Sequence, residues 1–181
     1  MEDKKPRIIV VDDIGENIEA AKGFFNSLKF PVDYGTNLKE GKNLLEMYGQ
    51  NYFLGIFDLD MPKENGGEII KRAGLDLGKM ADEKDIYYVY FSGGFYHGGP
   101  RTMVYFNDEE VLNNRLSKAV TSKSLSEGWK ELYNQLLEPM KYAAGSELED
   151  SVKRYERFTG KKFDWRKIPK ELRVGFVNKF Y

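Results

Sequence analysis

Short apolar runs alternating with longer stretches of helical period constrain this chain more than any other feature. Residues 7–11 (RIIVV), 52–57 (YFLGIF) and 86–91 (IYYVYF) are continuous and rich in β-branched or aromatic side chains, the pattern of strands buried on both faces. Residues 31–34 (PVDY) and 118–121 (KAVT) are weaker members of the same series. Between the runs lie residues 17–28, 38–48, 68–80 and 125–137. In the first, Ile18, Ala21, Phe24, Phe25 and Leu28 fall at helical spacing; in the second, Leu44, Leu45 and Tyr48 do. The alternation predicts an α/β fold: a doubly wound, five-stranded parallel sheet with helices on both faces.

In such sheets, sites form at the carboxyl ends of the strands. Asp12 and Asp13 close the first run, Asp58 the third and Ser92 the fourth, and Lys123 follows the fifth. After Asp58 the chain reads Leu59-Asp60-Met61-Pro62. Pro62 cannot continue a ladder, and Asn65-Gly66-Gly67 reinforces a turn there. Carboxylates gathered at one edge repel each other unless a cation sits between them. A hard divalent ion such as magnesium suits that place, because it takes a few carboxylates together with waters and phosphate oxygens. A carboxylate beside such an ion can attack phosphorus, and a lysine ammonium and a small hydroxyl can stabilise the charge that develops.

As a set, these residues resemble the receiver domains of two-component response regulators. The stretch from Val11-Asp12-Asp13 to Asn17 is similar to the acidic opening of that family. Phe57-Asp58-Leu59-Asp60-Met61-Pro62 with Gly66 is similar to its phospho-acceptor strand and turn, and Ser92 and Lys123 stand where the family has a hydroxyl and a lysine. The resemblance covers roughly residues 6–138 and implies a flavodoxin-like receiver fold acting as a stand-alone signalling module. Asp58 would accept a phosphoryl group from a histidine kinase, a phosphotransfer protein or a small phosphodonor. Magnesium would be held by Asp13 and Asp58 directly, by Asp12 through water and by the backbone carbonyl of Asp60. Lys123 would pair with a phosphoryl oxygen, Ser92 would swing towards the phosphate, and binding to a downstream protein would change. Catalysis beyond taking and losing that phosphoryl group is not implied.

Two departures bear on the output: Ser124 stands where the family has a proline after the lysine, and Val120 stands where it has an aromatic. The interval from Ser92 to Lys123 is also longer by about one hairpin. Two other readings remain. Asp58 and Asp60 also resemble the nucleophile and acid/base pair of haloacid-dehalogenase-type phosphohydrolases, although the acidic motifs then come in the reverse order. The chain could also be a pseudo-receiver, an interaction module independent of phosphorylation.

The remaining features bound the setting. Residues 1–140 carry 17 basic and 23 acidic side chains, a balance of −6, and residues 141–181 carry 11 and 6, a balance of +5. The chain therefore reads as a receiver-like domain over 1–138 followed by a basic helical extension over 139–181, with helical character at 147–158 and a further apolar-spaced segment at 172–180. The interleaved charges of the extension carry no recognition motif, so no nucleic-acid partner is expected; a homodimer is left open. Without cysteine, disulfides and thiolate metal sites are excluded. No stretch approaches the length of a membrane span, and the first apolar run is too short for a signal-peptide core, which leads us to expect a cytoplasmic protein. Residues 93–108 (GGFYHGGPRTMVYFND) read as a mobile glycine-rich loop with a small hairpin near 102–106. His97, the single histidine, reads as a loop residue, and the aromatics from Tyr87 to Phe106 read mostly as core.

Overall fold

A computed structural model describes residues 7–28, 31–96, 99–105, 108–113 and 118–142. The chain falls into two compact units, Met1–Trp129 and Lys130–Tyr181, and the packing described below belongs to the first. His97 and the two C-terminal segments expected at 147–158 and 172–180 lie outside the described residues.

The elements follow in the order β1 (Arg7–Val11), α1 (Gly15–Phe25), β2 (Val32–Gly35), α2 (Leu38–Tyr48), a short 3-10 turn (Gly49–Asn51), β3 (Tyr52–Phe57), β4 (Met61–Pro62), β5 (Ile69–Ile70), α3 (Gly74–Glu83), β6 (Tyr87–Tyr96), β7 (Gly99–Tyr105), α4 (Asp108–Leu112), β8 (Lys118–Val120) and α5 (Ser126–Tyr142). Among the described residues the main sheet has the order β2-β1-β3-β6-β7-β8. Its β1/β2, β1/β3 and β3/β6 pairs are parallel, whereas β6/β7 and β7/β8 are antiparallel. Two reversals return β8 to the direction of the first four strands. All five expected strands are therefore present in one direction, in a flavodoxin-like doubly wound arrangement with one antiparallel strand interposed.

That strand, β7, arises from the segment read as a loop. The small hairpin expected near 102–106 is not formed: Thr102 to Tyr105 belong to one continuous strand that pairs with β6 on one side and β8 on the other. Gly93, Gly94 and Gly99 lie in paired strand and not in a loop. A second difference concerns α3, expected from residue 68. Ile69 and Ile70 pair instead with Pro62 and Met61, and Arg72 adopts a positive φ of 58°, so the helix starts at Gly74. Helix period and a two-residue strand cannot be told apart over so short an apolar pair.

The sheet is covered on both faces. Ile9, Val11 and Phe57 pack with Leu38, Leu45, Leu77, Ala81, Tyr88 and Tyr90 from α2, α3 and β6. Elsewhere in the core, Phe91 and Phe25 meet Trp129 edge-on, with ring centroids 4.9 and 6.0 Å apart; such pairs add to the stabilisation from burial alone. Tyr87, Tyr88, Tyr90, Phe91 and Tyr105 are all buried, as expected of the aromatic stretch. The strand order reverses between β1 and β3, and it is at the carboxyl ends of strands at such a switch point that doubly wound sheets bind ligands.

Candidate functional site

Strand β1 ends directly in Asp12 and β3 directly in Asp58, and their parallel register brings the two together: the Asp58 N–H donates to the Val11 carbonyl at 2.8 Å. Asp12, Asp13 and Asp58 each offer a carboxylate oxygen, and these atoms lie within 4.8 Å of one another. Asp12 and Asp58 are buried, while Asp13 is partly open.

Lys123 enters this cluster from the loop after β8. Its Nζ lies 2.7 Å from Asp12 Oδ2 and 2.8 Å from Asp58 Oδ2, and it donates to the Phe91 carbonyl at 3.0 Å. The residue is only 4% exposed. Burial works against its charge, but the Asp58 and Asp12 carboxylates outweigh burial and hold its pKa above the usual lysine value. Lys118, the other lysine of this stretch, opens β8 opposite Val104, five residues before Lys123.

The other oxygens have distinct partners. Asp12 Oδ1 accepts from Asn17 Nδ2 at 2.8 Å and from the Ile14 N–H at 3.0 Å, so Asn17 orients this carboxylate from the first turn of α1. Asp12 Oδ2 is held by the Lys123 ammonium at 2.7 Å. Asp58 Oδ1 accepts from the Leu59 N–H at 2.7 Å. Burial pushes the Asp58 carboxyl up; Lys123 opposes that shift and Asp12 adds to it. Asp13 is pushed up by burial and then by Asp58. Three carboxylates gathered within 4.8 Å and facing a single lysine suit a hard divalent ion with oxygen ligands.

Ser92 is buried two residues beyond Tyr90, which pairs with Phe57, and directly after the carbonyl that Lys123 contacts. Asp60 turns its carboxylate into the chain reversal, where Oδ1 accepts the Arg72 N–H at 2.7 Å. The turn after Pro62 is present, with Gly66 at φ 77° and the Gly67 N–H on the Glu64 carbonyl. It is tied to the start of α2: Asn37 caps Glu40, Glu40 accepts from Thr36, and Asn65 Oδ1 accepts from Asn37 at 2.9 Å.

The assembled geometry places an acid pair after one central strand, a third acid after its parallel neighbour and a buried lysine between them. Solved structures similar to this chain include several receiver domains. They include the non-phosphorylated HemR receiver domain from Leptospira biflexa (23% identity, 61% of this chain and 73% of that one, TM-score 0.42). A response regulator receiver protein from Pseudomonas putida is 22% identical over 72% of this chain and 97% of its own, with a TM-score of 0.45. One from Clostridium thermocellum is 20% identical over 72% and 95%, with a TM-score of 0.44. No protein-family model and no curated protein sequence matches the chain.

Three site residues escaped the sequence. Gly74 packs its Cα on the Asp58–Leu59 backbone, where an added Cβ would lie 2.0 Å from the Asp58 carbonyl oxygen. Thr102 Oγ1 accepts from the Lys123 N–H at 2.7 Å, and Trp129 Nε1 donates to the Lys123 carbonyl at 2.6 Å. Isolated residues of these types carry no motif; only spatial proximity marks them.

Proposed function

We propose that residues 1–138 form a receiver-type phospho-acceptor domain whose Asp58 takes a phosphoryl group in phosphorelay signalling. The observation that carries this reading is the Lys123 ammonium, held between Asp12 and Asp58 beside a third carboxylate. Asp12, Asp13, Asp58 and the Asp60 carbonyl would hold magnesium. When bound, the ion neutralises the acids and the incoming phosphoryl oxygens. An Asp58 carboxylate oxygen forms a bond to phosphorus, while the bond from phosphorus to the donor's histidine nitrogen or acyl oxygen breaks and its electron pair leaves with the donor. Lys123 would exchange its contact with Asp58 for one with a phosphoryl oxygen, and Ser92 would donate to another.

The donor would be a histidine kinase or phosphotransfer protein, and the output altered binding to a protein partner or a second copy of this chain. Among the described residues no helix is long and apolar enough to cross a membrane, which fits a cytoplasmic relay component. The basic extension over 139–181 would serve as an accessory to that output.

Acetyl phosphate with magnesium tests the reading. A labile adduct of one phosphoryl mass is expected on Asp58, absent in Asp58→Ala. Magnesium should raise the melting temperature of the wild type and not of Asp13→Asn; ligand at a hundred times its Kd stabilises by about 2.7 kcal/mol. Failure to form an adduct or bind beryllofluoride points to a pseudo-receiver. Steady turnover of a generic phosphate ester points to a phosphohydrolase.

A further inference from the structure

Lys123 is unusual in having its backbone held as firmly as its side chain. Its N–H donates to Thr102 Oγ1 at 2.7 Å, and its carbonyl accepts from Trp129 Nε1 at 2.6 Å. Thr102 and Trp129 are each 1% exposed, so neither bond competes with water. The two partners come from separate elements: Thr102 from the middle of β7, where it pairs with Val120, and Trp129 from the first turns of α5.

We propose that Thr102 and Trp129 form a clamp that positions Lys123 for chemistry at Asp58, and that this is the role of the interposed strand β7 at the site. The inference rests on the phospho-acceptor reading for its consequence, though not for its geometry. Lys123 has a long, flexible side chain, yet its Nζ must meet two carboxylates and the Phe91 carbonyl at once. Such a contact set is only as well defined as the Cα from which the chain departs. Ser124, which follows, places no ring constraint on the backbone; its N–H reaches only the Ser122 hydroxyl at 3.4 Å.

The clamp is built into the packing. Gly128 lets α5 close on the loop, since a Cβ there would lie 2.5 Å from the carbonyl oxygens of both Thr121 and Ser122. Trp129 is then wedged against Phe91, whose carbonyl is the third partner of Lys123. One aromatic contact thus links the residue that holds the Lys123 carbonyl with the strand that receives its ammonium. A misplacement of about 1 Å at a catalytic group can lower a rate roughly a hundredfold, so a positioning residue outside the acidic cluster has a measurable effect.

The test uses the whole chain and two readouts. Brief treatment with acetic anhydride, followed by peptide mass spectrometry, measures the reactivity of each lysine. In Thr102→Val the Lys123 labelling rate should rise several-fold while exposed Lys39 stays unchanged, and Thr102→Ser should restore protection. Trp129→Phe, which keeps a ring and loses the N–H, should act in the same direction. The second readout is the rate of Asp58 phosphorylation by acetyl phosphate, expected to fall roughly ten- to a hundredfold in Thr102→Val and to recover in Thr102→Ser. Unchanged Lys123 reactivity in folded Thr102→Val overturns the clamp, as does an equal rise at all lysines. A wild type that takes no phosphoryl group defeats the phospho-acceptor reading alone, because the reactivity of Lys123 still decides the clamp.

Discussion

Replacing Lys123 by methionine removes one charge and strands two. Asp12 Oδ2 and Asp58 Oδ2 lose an ammonium at 2.7 and 2.8 Å, in a site where those residues are 1% and 6% exposed. Breaking a buried ion pair on one side costs about 3–5 kcal/mol. A carboxylate has one escape, which is to take up a proton. From an ordinary pKa of about 3.9 that costs about 4 kcal/mol at pH 7 and about 1.5 kcal/mol at pH 5. One proton between the two carboxylates replaces the lost charge and its cost sets a ceiling, so Lys123→Met should lose about 3–4 kcal/mol at pH 7 and about 1.5 kcal/mol at pH 5. Urea unfolding at both pH values, with divalent ions chelated, measures the difference. Adding Asp58→Asn to Lys123→Met should recover part of the loss at pH 7, because one stranded charge disappears. A loss below about 1 kcal/mol, or one equal at the two pH values, would show that Lys123 does not balance these carboxylates.

Two further outcomes follow from the packing. Gly74→Ala drives a methyl group to within 2.0 Å of the Asp58 carbonyl oxygen, a backbone atom that cannot rotate away; thermal unfolding should register a loss of roughly 1–3 kcal/mol or more, and an unchanged melting temperature would contradict the close approach. At alkaline pH, burial pushes Tyr34 up to about 12 and moves Tyr52, Tyr88 and Tyr90 upward as well. The folded state keeps protons that the unfolded chain releases near pH 10, so stability should be full below that pH and fall as it rises further. Ultraviolet titration of the phenols alongside urea unfolding checks the sign, and a flat stability profile above pH 10 would refute it.

The strands β1, β3 and β6 were legible because burial on both faces leaves a continuous apolar run, which local composition reveals; the weaker β2 and β8 were read from their place in the alternation. Asp12, Asp13, Asp58 and Lys123 were legible for a related reason: each follows such a run, and a doubly wound sheet gathers the carboxyl ends of its strands at one edge. The start of α3 was not, because the pairing of Ile69 and Ile70 with Pro62 and Met61 depends on a turn that brings distant residues together. The place of residues 99–105 as a strand of the main sheet was hidden in the same way. A glycine-rich aromatic segment reads as a loop until β6 and β8 supply ladders on both sides. Local period and strand-end chemistry were thus enough to determine the fold class and the acidic edge. Only the tertiary structure decided that Thr102, 21 residues from Lys123, would hold its backbone, because a hydrogen bond between remote elements leaves no periodic trace in either.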